Sequence, residues 1–181
     1  MDNMDGRITA VQQTAMAYDA GDPARIQHLM KVWAFARFIG RQEGLPAAQQ
    51  ETLELTAVLH DIGIHQAERI HGSTAGRYQE LEGPPIARRM LEEAGCSPAV
   101  TDRVCTLISR HHTYTDVDGA DCRILLEADL LVNIGEEGLT AAAIRTARER
   151  VFRTGTGRWL LDVLYGRERP DEETRKGPDN P

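Results

Sequence analysis

Aromatic side chains are scarce in this sequence, at 5% of 181 residues. Leu, Ala, Ile and Val must therefore do most of the packing. Cysteine is scarcer still: Cys96, Cys105 and Cys122 are odd in number and far apart. They form no CxxC pair, which argues against a zinc knuckle and against a disulfide framework. A reduced, cytoplasmic setting is the simplest expectation. No run of 18 or more apolar residues occurs, so no membrane span is expected. The opening MDNMDGRITA has neither a basic region nor an apolar stretch, so it does not read as a signal peptide. A basic excess is also missing. The net charge is −7, and nothing suggests the phosphate-neutralising face of a nucleic-acid binder. Small anionic substrates would need metal ions or a few well-placed Arg and Lys residues.

What the chain does have is helix signals. Apolar residues make up 41%, close to a globular average, and the length suits one domain. Residues 7–19 are helix-compatible. Asp22 reads as an N-cap with Pro23 in the first helical position. Over residues 23–43, Ile26, Leu29, Met30, Val32, Trp33, Ala36 and Ile39 recur at offsets of three and four, which marks one buried face. Pro46 opens a further helix that runs to His60 and Asp61. Residues 64–82 read as short helix, loop and helix. Gly83-Pro84-Pro85 then starts a new helix that Gly95 ends. Ser97 caps a helix running through to His111 and His112. Three more follow, in DCRILLEADLLVNIG, TAAAIRTARERVF and GRWLLDVLYG. No alternating run demands a strand, so the fold class is all-α. The expected organisation is one domain over residues 1–167 and a mobile, charged tail over 168–181.

The stretch LTAVLHDIGIHQAE, residues 55–68, raises the functional question. His60 and Asp61 end a segment that Ala57, Val58 and Leu59 mark as buried. An unpartnered carboxylate there would cost several kcal/mol, and a bound cation removes that cost. Other candidate ligands sit in similar settings. His28 borders the apolar face of its helix, His111 and His112 end theirs, and Asp129 lies within ILLEADLLVNI, among Leu125, Leu126, Leu130, Leu131 and Ile134. Imidazole and carboxylate donors together suit Mn, Fe, Zn, Ni, Co or Mg.

The order His28, His60-Asp61, Asp129 resembles the H…HD…D motif of the HD-domain phosphohydrolase superfamily, as do the HDIG wording and the His-His pair after a helix. The resemblance spans about residues 25–135. It implies an HD-domain-like helical bundle and one divalent metal held by His28, His60, Asp61 and Asp129. The implied activity is metal-dependent hydrolysis of a nucleotide or another small phosphorylated metabolite. Asp61 would also position water, and His111 or His112 would stabilise or protonate the leaving oxygen. Spacing from Leu107 and Ile108 places His111 nearer the metal and His112 at the rim. Lys31, one turn after His28, together with Arg77 and Arg110, would offset substrate charge.

One position departs from the family pattern. Two-metal members place a histidine four residues before the glycine of GxxIAxxxL, and here that position is Gln79. Glu80 and Glu82 are the candidate substitutes, and His111 and His112 are candidates for a second ion. Two other classes compete with a phosphohydrolase: a di-iron oxygenase of HD type, which needs the full two-metal set, and a non-catalytic metal- or ligand-binding module. Of the remaining polar groups, His65 and His71 read as solvated or as lying behind the ligands. At least one of Arg88 and Arg89 should face solvent. DVDGAD, residues 116–121, reads as an acidic turn, because Asp121 stands where a calcium loop needs glycine.

Overall fold

A computed structural model describes residues 4–113 and 117–166. Among these, nine helices occur and no strand: α1 (Met4–Tyr18), α2 (Pro23–Gln42), α3 (Ala47–Leu59), α4 (Ile64–His71), α5 (Gly76–Glu93), α6 (Pro98–Ile108), α7 (Gly119–Glu136), α8 (Ala141–Arg150) and α9 (Gly155–Tyr165). The all-α expectation is met. No helix among the described residues is long and apolar enough to cross a membrane. The expected tail, 168–181, lies outside the described residues.

The architecture is built around α3, whose residues from Gln50 to Leu59 are all buried. A helix buried on every side must be packed on every side. One apolar cluster joins it through Leu55, Val58 and Leu59 to α1, α5 and α6, with Ile8, Val11, Leu91, Val104 and Ile108 at its centre. A second joins it through Leu53 and Ala57 to α2, α7 and α9, around Val32, Ile39, Leu125, Leu131, Phe152 and Leu161. The helix α2 packs extensively on α3 and α7. Its expected inward stripe is realised: Leu29, Val32, Ala36 and Ile39 are buried. At its start, Asp22 accepts from the Arg25 N–H at 3.0 Å.

Two polar groups are sealed into this core with their partners. Glu54 is fully buried and accepts from Trp33 Nε1, Arg37 Nη1 and Gln50 Nε2 at 2.8–3.0 Å. Glu127, also fully buried, accepts the Arg153 and Thr154 backbone N–H groups and the Thr154 hydroxyl. It thereby ties α7 to the turn that enters α9. A buried carboxylate with three donors replaces its lost hydration.

Two sequence expectations need correction. Gly83-Pro84-Pro85 does not begin a helix. It lies inside α5, which runs unbroken from Gly76 to Glu93. The carbonyl of Pro84 accepts a contact from Cys105 Sγ at 3.5 Å, so neighbouring packing carries a helix that local propensity would interrupt. The second correction concerns α6. It ends at Ile108, and His111 and His112 lie in the following turn, closed by the Thr113 N–H bonding the Arg110 carbonyl at 2.8 Å.

The backbone explains the glycine of HDIG. A Cβ on Gly63 would stand 2.6 Å from the Gly83 nitrogen and 2.7 Å from the Gln79 carbonyl oxygen. Main chain crosses main chain there, so the turn after Asp61 rests directly on α5. We expect Gly63→Ala to destabilise the fold by about 1–3 kcal/mol through overpacking that backbone cannot relieve. At Gly155 a Cβ meets only Glu43 Oε1, at 3.8 Å, so Gly155→Ala should leave stability essentially unchanged. Thermal unfolding of the two variants checks this, and equal losses would contradict it.

Candidate metal centre

The end of α3 delivers His60 and Asp61 to the place where α2 and α7 converge. His60 is 1% exposed and caps α3. Its Nδ1 donates to the Ala57 carbonyl at 2.9 Å. His28, on α2, donates from Nδ1 to Glu136 Oε2 at 2.8 Å. His111, buried in the turn after α6, donates from Nδ1 to the Ile108 carbonyl at 2.7 Å. Each of these acceptors can only accept, so each fixes the same tautomer of the neutral ring: Nδ1 carries the proton and Nε2 has the lone pair.

Those lone pairs converge. His28 Nε2 and His60 Nε2 lie 3.3 Å apart. Asp129 Oδ1 is 3.3 Å from the first and 3.5 Å from the second. Asp61 Oδ2 is 3.7 Å from both. On its other side, Asp61 Oδ1 stands 3.3 Å from His111 Nε2. Asn133, one turn beyond Asp129, donates to Asp129 Oδ1 at 2.9 Å.

A divalent ion fits this set. Donors that each bond an ion at about 2.1 Å stand roughly 3.0–3.4 Å from one another, and the His28, His60 and Asp129 atoms stand close to that, at 3.3–3.5 Å. Two imidazole lone pairs facing one another at 3.3 Å repel unless a proton or a cation lies between them. Carboxylate and carbonyl partners behind ligand imidazoles are the usual means of orienting such ligands. Among the described residues two groups of three donors could hold an ion, His28–His60–Asp61 and Asp61–His111–His112, with Asp61 common to both.

Titration behaviour follows from the same crowding. Burial pulls the His60 pKa down, but the Asp61 and Asp129 carboxylates outweigh it and raise it to about 9. His28 is likewise raised: burial pulls it down, and Asp129, Asp61 and Glu136 together outweigh that. Burial pushes the Asp61 and Asp129 carboxyls up, yet the facing imidazoles hold both well below the usual carboxylate range.

The other expected site residues are placed differently. Gln79 is buried, donates from Nε2 to the Thr74 carbonyl at 2.6 Å, and accepts from His112 Nε2 at 3.1 Å. Neither glutamate takes its place. Glu80 Oε1 accepts the His112 backbone N–H at 3.0 Å, and Glu82 pairs with His71 at 2.9 Å. A Cβ on Gly76 would stand 2.6 Å from the His112 ring, so the ring packs against the backbone at the start of α5. Lys31 is committed to Glu136 at 3.0 Å, the carboxylate that also holds His28. Arg77 is exposed and lies 4.6 Å over the Tyr78 ring. Arg110 lines a separate cleft with Arg103, Thr106 and Asp118. Glu136 and Asn133 escaped the sequence reading, although their offsets of seven and four from Asp129 on α7 place them on its face.

With this geometry in view, the comparisons define the class. The HD domain family matches residues 25–144, and the chain belongs to that family. A crystal structure of a predicted HD superfamily hydrolase from an uncultured Thermotogales bacterium superposes with a TM-score of 0.59 at 25% identity, covering 88% of this chain and 83% of that one. No curated protein matches the chain. Family and neighbour together support a metal-dependent hydrolase.

Metal uptake must compete with protons here. His60 is protonated below about pH 9 in the metal-free protein, and an ion has to displace that proton. Affinity for Mn²⁺ or Co²⁺ should therefore rise by about tenfold per pH unit for each proton released, up to about pH 9. Calorimetry in buffers of different ionisation enthalpy counts the protons. Uptake with no proton release at pH 7 would contradict the assignment.

Proposed function

We propose that the protein is a metal-dependent phosphohydrolase acting on a nucleotide or another small phosphorylated metabolite. The observation that carries this reading is the convergence of oriented imidazole and carboxylate donors at the end of α3. The set contains no thiolate, and mixed N and O donors suit the hard and borderline ions that activate phosphoryl chemistry. A bound divalent ion supplies Lewis-acid polarisation of a phosphoryl oxygen and a lowered pKa for water.

The chain's own residues would divide the remaining work. His28, His60, Asp61 and Asp129 hold the ion. The Asp61 side chain is 20% exposed, more than those of the other three, so it is the ligand best placed to orient an attacking water. His111 presents Nε2 to Asp61 Oδ1 at 3.3 Å, which places its ring to exchange a proton at that point. The His112 pKa is lowered, by burial and then by His111, so its ring is neutral at pH 7. It offers one N–H, held against Gln79 at the rim. These placements favour His111 for the chemical step and His112 for substrate contact. Lys31 acts on the site through Glu136 and His28, in place of the direct phosphate contact expected of it.

A second reading rests on the Asp61–His111–His112 group, which supplies a place for a second ion. Two irons there would suit an oxygenase. Gln79 Oε1 is a weaker donor than the imidazole that two-metal members carry at that position, and this favours hydrolysis.

The test is a panel of phosphate esters assayed with Mn²⁺, Co²⁺, Ni²⁺, Mg²⁺ or Fe²⁺, in air and under anaerobic conditions. We expect metal-dependent phosphate release independent of oxygen. His111→Ala should lower kcat by roughly 10²-fold or more, whereas His112→Ala should mainly raise KM. Turnover that requires oxygen, or equal kcat losses in both variants, would refute the respective assignment.

A further inference from the structure

A second polar cavity lies away from the metal cluster, between the start of α7 and the end of α8. Its volume is about 240 Å³, and Val117, Arg123, Leu126, Arg150, Val151 and Arg153 line it. Three arginines thus line one small hollow in a chain of net charge −7. Several other arginines sit on carboxylates: Arg37 on Glu54, Arg88 on Asp102, Arg103 on Asp118 and Asp121, and Arg148 on Asp162. Among the described residues none of the three basin arginines has an ion pair. Arg123 and Arg150 make no side-chain hydrogen bond there, and Arg153 spends only Nη1, on the Glu149 carbonyl at 2.6 Å. The nearby buried carboxylate, Glu127, is already engaged by the Arg153 and Thr154 N–H groups and the Thr154 hydroxyl.

Among the described residues the three arginines have no internal counter-ion, and an external anion would supply one. Guanidinium forks match the oxygens of a phosphate group better than those of a spherical anion. Val117, Leu126 and Val151 supply the apolar part of the lining beside the arginines. Position adds to the case. Arg123 lies on the same helix as Asp129, six residues earlier, about 9 Å along the axis. Glu127 holds the Arg153 backbone to that helix as well, so the basin and the metal cluster share one rigid element.

We propose that this basin binds the phosphate group of a small phosphorylated ligand. The ligand is either the far end of the substrate, which rests on the phosphohydrolase reading, or a separate effector, which does not. The full-length protein as purified is titrated calorimetrically with inorganic pyrophosphate, alongside Arg123→Gln/Arg150→Gln and the charge-matched control Arg41→Gln/Arg145→Gln. All four positions reach solvent, so helicity and Tm should be unchanged. The basin variant should bind roughly tenfold or more weakly than both the wild type and the control, and wild-type affinity should fall with salt. Absence of wild-type binding, or equal affinities in all three proteins, overturns the proposal whether or not the protein hydrolyses phosphate esters. Kinetics then separate the sources. A raised KM at unchanged kcat in the basin variant assigns the phosphate to the substrate, and a pyrophosphate effect on wild-type rate that the variant loses assigns it to an effector.

Discussion

Two imidazole Nε2 atoms face each other at 3.3 Å inside the protein, and the rest of the site is arranged around that confrontation. His28 and His60 cannot turn away. Each is held from behind, by Glu136 and by the Ala57 carbonyl, and each is sealed by the packing of α2, α3 and α7. Asp61 and Asp129 face the same point. In the metal-free protein protons soften the arrangement, which is why the His60 pKa is raised to about 9. A divalent cation relieves it, because the His28, His60 and Asp129 donors stand 3.3–3.5 Å apart, close to the separation of ligands around one ion.

The scaffold meets this demand by making α3 its most buried element. A helix packed on all sides has little freedom to shift, so the residues at its end are positioned to the tolerance of the core. The turn that follows is pressed onto α5 where Gly63 meets Gly83. That contact brings Gln79, and through it His112, to the edge of the cluster. The carboxylates of Glu54 and Glu127 fix α2 to α3 and α7 to α9. Fold and site therefore share the same elements, and α7 carries Asp129, Asn133 and Glu136 on one face and Arg123 nearer its start.

Much of this was legible in the sequence because the signals were local. Periodic apolar residues and the Asp22-Pro23 start predict α2. A carboxylate at position 129 among leucines is costly without a partner, and the His60-Asp61 pair follows an apolar run. What escaped reading depends on contacts between distant segments. Nothing local shows that Pro84 and Pro85 continue a helix, since α6 supplies the packing that makes it tolerable. Nothing local shows that Lys31 would be taken by Glu136, 105 residues away, or that Gln79 would accept from His112. The histidine pair was read on a helical wheel, although the chain leaves the helix at Ile108. Its two members are set apart by the turn and by the space that Gly76 leaves for the His112 ring.

The central claim is that the two facing imidazoles exist to hold a cation. Anomalous diffraction recorded on either side of the Mn or Co absorption edge, from crystals of the metal-loaded protein, tests it most directly. The account predicts a peak bonded to the Nε2 atoms of both His28 and His60 and to carboxylate oxygens of Asp61 and Asp129. A loaded crystal with its anomalous peak elsewhere, and His28 and His60 still facing each other across an empty gap, would contradict it.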